Sequence, residues 1–275
     1  MQHALANNQT SHTKLNLFAY LGKVYHYRKM VRTLVRRDLK KQYAQTFLGV
    51  LWSAIQPAIG LVVFTLFFVY IFKIDTGGIA YPLVALTGIV PWFYFLNVVS
   101  SAGNSLADNQ DLIKRLYFPR LIFPLAKSIT AFVDLGIAFG LYTLLAVFYG
   151  QLPGKAILLL PVFLGMLVLL ALTLGIWLAA LTIRFRDLQN VVPYLLNLGI
   201  WVTPVFYPVS VVPQPIQPYL HWNPMAGIIE GFRYSLLGTG NWDMAYLYPW
   251  PFVLIAFVGG LLYFRRTETI VSDYL

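Results

Sequence analysis

Few side chains in this sequence can make or break bonds. There is no cysteine, which excludes a thiol nucleophile, a disulfide framework and any cysteine-ligated zinc or iron–sulfur site. The four histidines, His3, His12, His26 and His221, are scattered without the spacing a metal site needs. Among ten acidic residues only Asp108 and Asp111 form a close pair. In the run A-D-N-Q-D-L-I-K-R they suit the start of a short helix, where carboxylates cap backbone N–H groups and meet the positive end of the dipole. Metal-bound catalysis by the pair is the alternative. No glycine-rich phosphate loop is present, so a nucleotide-driven process would need a second subunit to bind the nucleotide.

Asp134 stands apart because it lies inside a long apolar stretch. An ionisable group there is costly and points to a proton carrier, a polar contact in a pathway, or a charge pair. Lys127 is seven residues earlier, two helical turns away on nearly the same face and too far for direct contact. Asp134 therefore needs a partner from another helix, or water.

The elements that would position these residues are membrane spans. The chain has 275 residues, 59% hydrophobic and 11% charged, whereas a soluble domain is about 45–50% apolar and about 25% charged. A helix needs about 20 apolar residues to cross the hydrocarbon layer, and the charge-free runs supply them. Residues 51–72 form a first span and residues 81–103 a second, with Pro82 and Pro91 expected to kink it. Residues 121–149 form a third around Lys127 and Asp134. Residues 156–183 form a fourth, in which Gly165 and Gly175 would let another helix approach closely. Residues 188–229 carry no Lys, Arg, Asp or Glu, but Pro204, Pro208, Pro213, Pro215, Pro218 and Pro224 forbid one helix through them. A fifth span over 188–207 is expected, then a Pro-rich stretch over 208–240 whose short segments dip into the membrane or lie at its outer surface, then a sixth span over 244–264. The fold class is all-α integral membrane, a single transmembrane domain.

With six crossings, every Lys and Arg except Lys73, Lys155 and Arg233 falls on the side of the termini, and positive-inside bias then makes that side cytoplasmic. The net charge of +10 is concentrated before the first span. Residues 21–47 read as an amphipathic interface helix, with Leu21, Val24, Tyr27, Val31, Leu39 and Tyr43 on one face. The other face carries Lys23, Arg28, Lys29, Arg32, Arg36, Arg37, Lys40 and Lys41 against the single Asp38, suited to anionic lipid headgroups rather than nucleic acid. Residues 1–20 read as a loose tail; their polar opening lacks the pattern of a cleavable signal peptide and is expected to persist.

Aromatic residues make up 16% of the chain. Trp52, Tyr81, Trp242 and Trp250 fall near span ends, where an interfacial belt accounts for them. Trp92, Tyr94, Phe95, Trp177, Trp201, Phe206 and Tyr207 lie deeper or beside the Pro-rich break. Helix packing and the lining of a pathway compete for these seven, and Asp134 joins them as a pathway candidate.

The edges of the spans resemble a known family, the ABC-type polysaccharide and polyol-phosphate exporter permeases. R-R-D-L-K-K-Q-Y-A-Q-T-F-L-G-V-L-W-S-A-I-Q-P (residues 36–57) resembles the family's interface helix running into its first span. N-Q-D-L-I-K-R-L-Y-F-P-R (109–120) resembles its coupling helix, and R-F-R-D-L (184–188) and F-R-R-T-E-T-I-V-S-D (264–273) follow in order. The resemblance implies a homodimer with two ATP-hydrolysing subunits, which carry the ATP and Mg while this subunit holds no cofactor and is not an enzyme. It implies that the stretch over 208–240 forms short re-entrant helices on the external side. It implies a lipid-linked substrate such as O-antigen, capsular glycan or teichoic acid, moved outward across a bacterial inner membrane. Contact with the ATPase would then fall on the coupling helix over 108–117, through Asp108, Asn109, Asp111, Leu112, Lys114, Arg115 and Tyr117, and on Arg36 and Arg37. An exporter of drugs or simple lipids shares this architecture; a proton-coupled carrier or a membrane glycosyltransferase would lack the coupling loop.

Overall fold

The computed structural model describes residues 17–44, 49–238 and 242–268. Their helices are α1 (Leu17–His26), α2 (Arg28–Tyr43), α3 (Trp52–Thr65), α4 (Tyr81–Asn104), α5 (Gln110–Arg115), α6 (Ile122–Phe148), α7 (Leu160–Thr182), α8 (Leu188–Val202), α9 (Gln217–Leu220), α10 (Pro224–Leu237) and α11 (Trp250–Glu268). No strand occurs among the described residues. Five helical runs are long and apolar enough to cross a membrane: Gly49–Ile71, Tyr81–Asn104, Ile122–Phe148, Lys155–Thr182 and Met244–Glu268.

The central helix is α4, with 78% of its apolar window buried, and α6, α7, α8 and α10 pack around it. Pro82 sits in its first turn, where a missing N–H costs nothing, and the helix runs unbroken past Pro91. Small residues set how closely its neighbours approach. A Cβ on Gly175 would lie 2.9 Å from Ala102 Cβ, and one on Gly88 would collide with the Val205 backbone. Gly175 thus makes the close approach read from the sequence, whereas Gly165 faces open space.

The first span is held far more loosely. Only 11% of its apolar window is buried, and its last six residues, Leu66–Ile71, wind as a π-helix. Ile59, Val62, Leu66, Phe67 and Tyr70 are all exposed.

The fifth span differs most from its expected form. Helix α8 stops at Val202 after 15 residues, about 22 Å of rise against about 30 Å of hydrocarbon. Pro204 explains the stop, since proline restricts the residue before it and cannot donate to a helix. The six-helix count therefore reduces to five membrane-length helices and this shorter one. The backbone that follows is not helical, yet its polar groups are satisfied by the protein. Val205 O accepts from Arg233 Nη2 at 3.0 Å, Phe206 O from Tyr81 OH at 2.9 Å, and Thr203 Oγ1 from Asn223 Nδ2 at 3.0 Å. Irregular backbone at such depth is tolerable only on those terms.

The Pro-rich stretch over 208–240, expected from the resemblance to be re-entrant and of which 239–240 lie outside the described residues, centres on α10. Asn223 caps it by accepting from Met225 N at 3.0 Å, Pro224 occupies its first turn, and Gly238 ends it in a left-handed conformation (φ 66°). Ile228, Ile229, Phe232 and Leu236 bury it against α4 and α7. Arg233, placed by the sequence on the side opposite the termini, is buried and pairs with Glu230 at 2.6 Å.

The interface segment is two helices rather than one. Tyr27 leaves helical geometry between them (ψ 14°) and its ring faces Phe118. Leu17–Tyr20, read as tail, belong to α1, because Tyr20 and Val24 are buried in the same apolar cluster as Phe118, Leu121 and Phe264. Residues 1–16 of the expected tail and 45–47 of the expected interface helix lie outside the described residues.

Candidate functional site

Apolar packing first fixes the loop between α4 and α6. Leu106, Ile113 and Phe118 are buried together with Val24 and Leu34 of the interface helices and Phe264 of α11. Asn109 is buried at the turn and donates to Ser105 O at 2.7 Å. With Ile113 anchored inward, the rest of α5 faces out: Asp108, Asp111, Lys114 and Arg115 are exposed, Leu112 is half-buried, and Tyr117 is 99% exposed. Asp111 lies in the first turn and Lys114 and Arg115 in the last, the arrangement a helix dipole favours.

The end of α11 braces this loop. Glu268 accepts from Tyr20 OH at 2.7 Å and from the Arg120 backbone N at 2.6 Å, and Arg120 Nη1 donates to its carbonyl. Burial, and secondarily Glu268, pushes the Tyr20 hydroxyl pKa well above its ordinary value, so it stays a donor. These bonds tie the chain just after α5 to α1 and α11.

Helix α2 is docked on α6 by polar groups. Lys127 Nζ lies 2.9 Å from Asp38 Oδ2, and Arg37 Nη2 lies 2.8 Å from Asp38 Oδ1. Burial alone would raise the Asp38 pKa, but the hydrogen bonds and charges of Lys127 and Arg37 outweigh it and hold the carboxyl below the usual range. Asp134, two turns along α6, accepts from Gln42 Nε2 at 3.1 Å, Tyr43 OH at 2.6 Å, Ser53 Oγ at 2.5 Å and Asn97 Nδ2 at 3.2 Å. Burial, then Asp134, pushes Tyr43 up to about 12. A polar cavity of about 500 Å³ runs from Asp108 past Lys41 and Lys127 to Asn97. A second, of about 350 Å³, continues past Gln42, Asn97 and Asp134 to Gln56, with Trp52 and Phe93 on its walls.

The residues singled out in the sequence fall into separate groups. Asp108, Asn109, Asp111, Leu112, Lys114, Arg115 and Tyr117 form one surface element, and Arg36 and Arg37 are exposed on α2. The aromatic candidates are not brought to one surface. Trp92, Tyr94, Phe95 and Phe206 are buried within the chain, Trp177 stacks on Tyr263 and donates to Ala256 O at 2.8 Å, Tyr207 is half-buried and Trp201 is exposed. Gln42, Ser53, Asn97 and Glu268 were not singled out, and Tyr43 was read only as part of the apolar face of the interface helix. Their signal was a polar residue beside or inside an apolar run, which becomes specific only when Asp134 and Arg120 are seen to share them.

Comparison with known families decides what this arrangement belongs to. Residues 29–237 match the family described as ABC-2 type transporter. The chain belongs to the ABC-2 type transporter family. The match runs from α2 through α10, and so includes the docked interface helix, the exposed α5 loop and most of the Pro-rich stretch. Among relatives, this ABC-2 chain is similar to the O-antigen export system permease protein RfbA of Myxococcus xanthus, 30% identical over 76% of this chain and 81% of that one. It is similar also to the polysialic acid transport protein KpsM of Escherichia coli, 25% identical over 88% and 95%. The capsule polysaccharide export inner-membrane protein CtrC of Neisseria meningitidis is 20% identical over 88% and 91%. An ABC-2 permease is a multi-pass membrane subunit that works with a separate ATP-binding subunit, so this chain is a transport permease rather than an enzyme.

Proposed function

We propose that this permease carries a lipid-linked polysaccharide, O-antigen-like or teichoic-acid-like, from the cytoplasmic to the external side of a bacterial inner membrane. The observation that carries the reading is the run of glycan-export relatives aligned over most of the chain. Two copies would work with two ATP-binding subunits that hold ATP and Mg, with both termini in the cytoplasm. The nearly unburied first span and α8, which has no buried residue, are surfaces a second copy would cover. Helix α8, extended by residues 203–207, would complete the sixth crossing.

ATP-driven closure of the partner subunits would press on α5 and α2. Through the apolar cluster that holds Ile113, Leu34 and Phe264 together, the push would reach the bundle and shift the first and fifth spans to open a path between the two copies. Replacing Lys114 and Arg115 together by Glu reverses the charge of the exposed α5 end without touching its buried anchor. Surface glycan is expected to fall to background while the amount of chain in the membrane stays unchanged. Undiminished export by that variant would refute the assignment.

A further inference from the structure

We propose that Asp134 is the positioning residue that couples movement of the interface helix to the membrane spans. The proposal rests on the exporter reading above for what the movement achieves, but not for the joint itself.

Asp134 is a single carboxylate on which side chains of three other elements converge. Gln42 and Tyr43 close the end of α2, Ser53 opens the first span, and Asn97 lies midway along α4. All four donors are neutral. The nearest cation on α6, Lys127, is engaged by Asp38. Among the described residues Asp134 is held by hydrogen bonds, and charge-assisted bonds of this kind are the strong ones. A carboxylate offers about four acceptor positions, so the site is full. That argues for a joint rather than an empty ligand site.

The placement gives the joint its consequence. Asp38 and the Gln42–Tyr43 pair are spaced by about one turn along α2, and their anchors Lys127 and Asp134 by about two turns along α6. Two pins prevent α2 from sliding or rotating on α6. The first span packs on α4 and α6 but leaves most of its surface open, with 11% of its apolar window buried, and its first turn is tied at Ser53. Whatever moves α2 therefore carries Asp134, and Asp134 carries the start of α3.

The absence of cysteine makes the test direct. Spin labels at Arg32→Cys on α2 and Val62→Cys on α3, both exposed, report the distance between the two helices in the purified full chain. The wild-type background should give one narrow distribution, and Asp134→Asn and Tyr43→Phe should each broaden it or add a second distance. Thermal melting of the two single variants and the double should be non-additive. In proteoliposomes with the ATP-binding subunit, ATP hydrolysed per glycan exported should rise about 5-fold or more in Asp134→Asn. A merely structural role would instead lower hydrolysis and export in proportion. Unchanged distance distributions with additive melting would overturn the joint. A joint that behaves as described in a chain that exports no glycan would leave this inference standing and remove the function proposed above.

Discussion

At the scale of single residues, the two buried ion pairs make different predictions. Arg233 is 4% exposed on α10, with Glu230 and the Val205 carbonyl as its partners. Glu230→Ala leaves that charge uncompensated and should destabilise the purified protein by about 3 kcal/mol, whereas Arg233→Met removes the charge and should cost less. Melting temperatures in detergent compare the two. The Asp38–Lys127 pair makes a pH prediction. Because the Asp38 pKa is held below its ordinary value, the pair contributes fully above that value, about 3.9, and its contribution is lost as pH falls through the lowered one. The stability difference between wild type and Asp38→Asn should be flat from neutral pH to about 5 and shrink below about 4. Sequence reasoning saw that Asp134 needed a partner from another helix, or water, because Lys127 lay too far along its own. It had no means of naming that partner or the one Lys127 meets, because Asp38 and Tyr43 are remote in sequence and only the packing of α2 on α6 selects them.

At the scale of elements, the glycines separate packing from propensity. Gly88→Ala would drive a methyl group into the Val205 backbone, which cannot rotate away, and should cost about 1–3 kcal/mol. Gly165→Ala meets open space and should be neutral or stabilising by up to about 1 kcal/mol, as a better helix former. Thermal melting of the two variants side by side checks the contrast. The spans themselves were legible, since absence of charge over about 20 residues is a strong physical signal. Their ends and breaks were less so. Proline count located the disruption after α8, but the length of α8 depends also on Tyr81 and Arg233, which donate to the Phe206 and Val205 carbonyls, and on Asn223, which donates to the Thr203 hydroxyl. The division of the interface segment at Tyr27 had no sequence signal, because both halves continue the same amphipathic pattern and the break is set by packing on Phe118.

At the scale of the whole molecule, two facts stand together: a platform of α1, α2, α5 and the end of α11 built as one apolar cluster with the adjoining ends of α6 and α7, and a first span that packs on α4 and α6 yet buries only 11% of its apolar window. A platform that moves as a unit beneath a loosely held span is the mechanical requirement of a coupled permease. The loop between α4 and α6 was legible as a short charged run between spans, and the structure adds that Ile113 and Asn109 lock it from below, as the coupling role proposed for it requires. The pathway was not legible, because an aromatic side chain reads the same whether it packs, as Trp92 and Phe206 do, or faces outward, as Trp201 does. The most direct test of the central claim is transport by the chain in proteoliposomes with its ATP-binding subunit. The account predicts outward movement of a lipid-linked glycan that requires hydrolysable ATP and is lost in the Lys114→Glu, Arg115→Glu variant. Movement by the chain alone, driven by a proton gradient and indifferent to ATP, would contradict it.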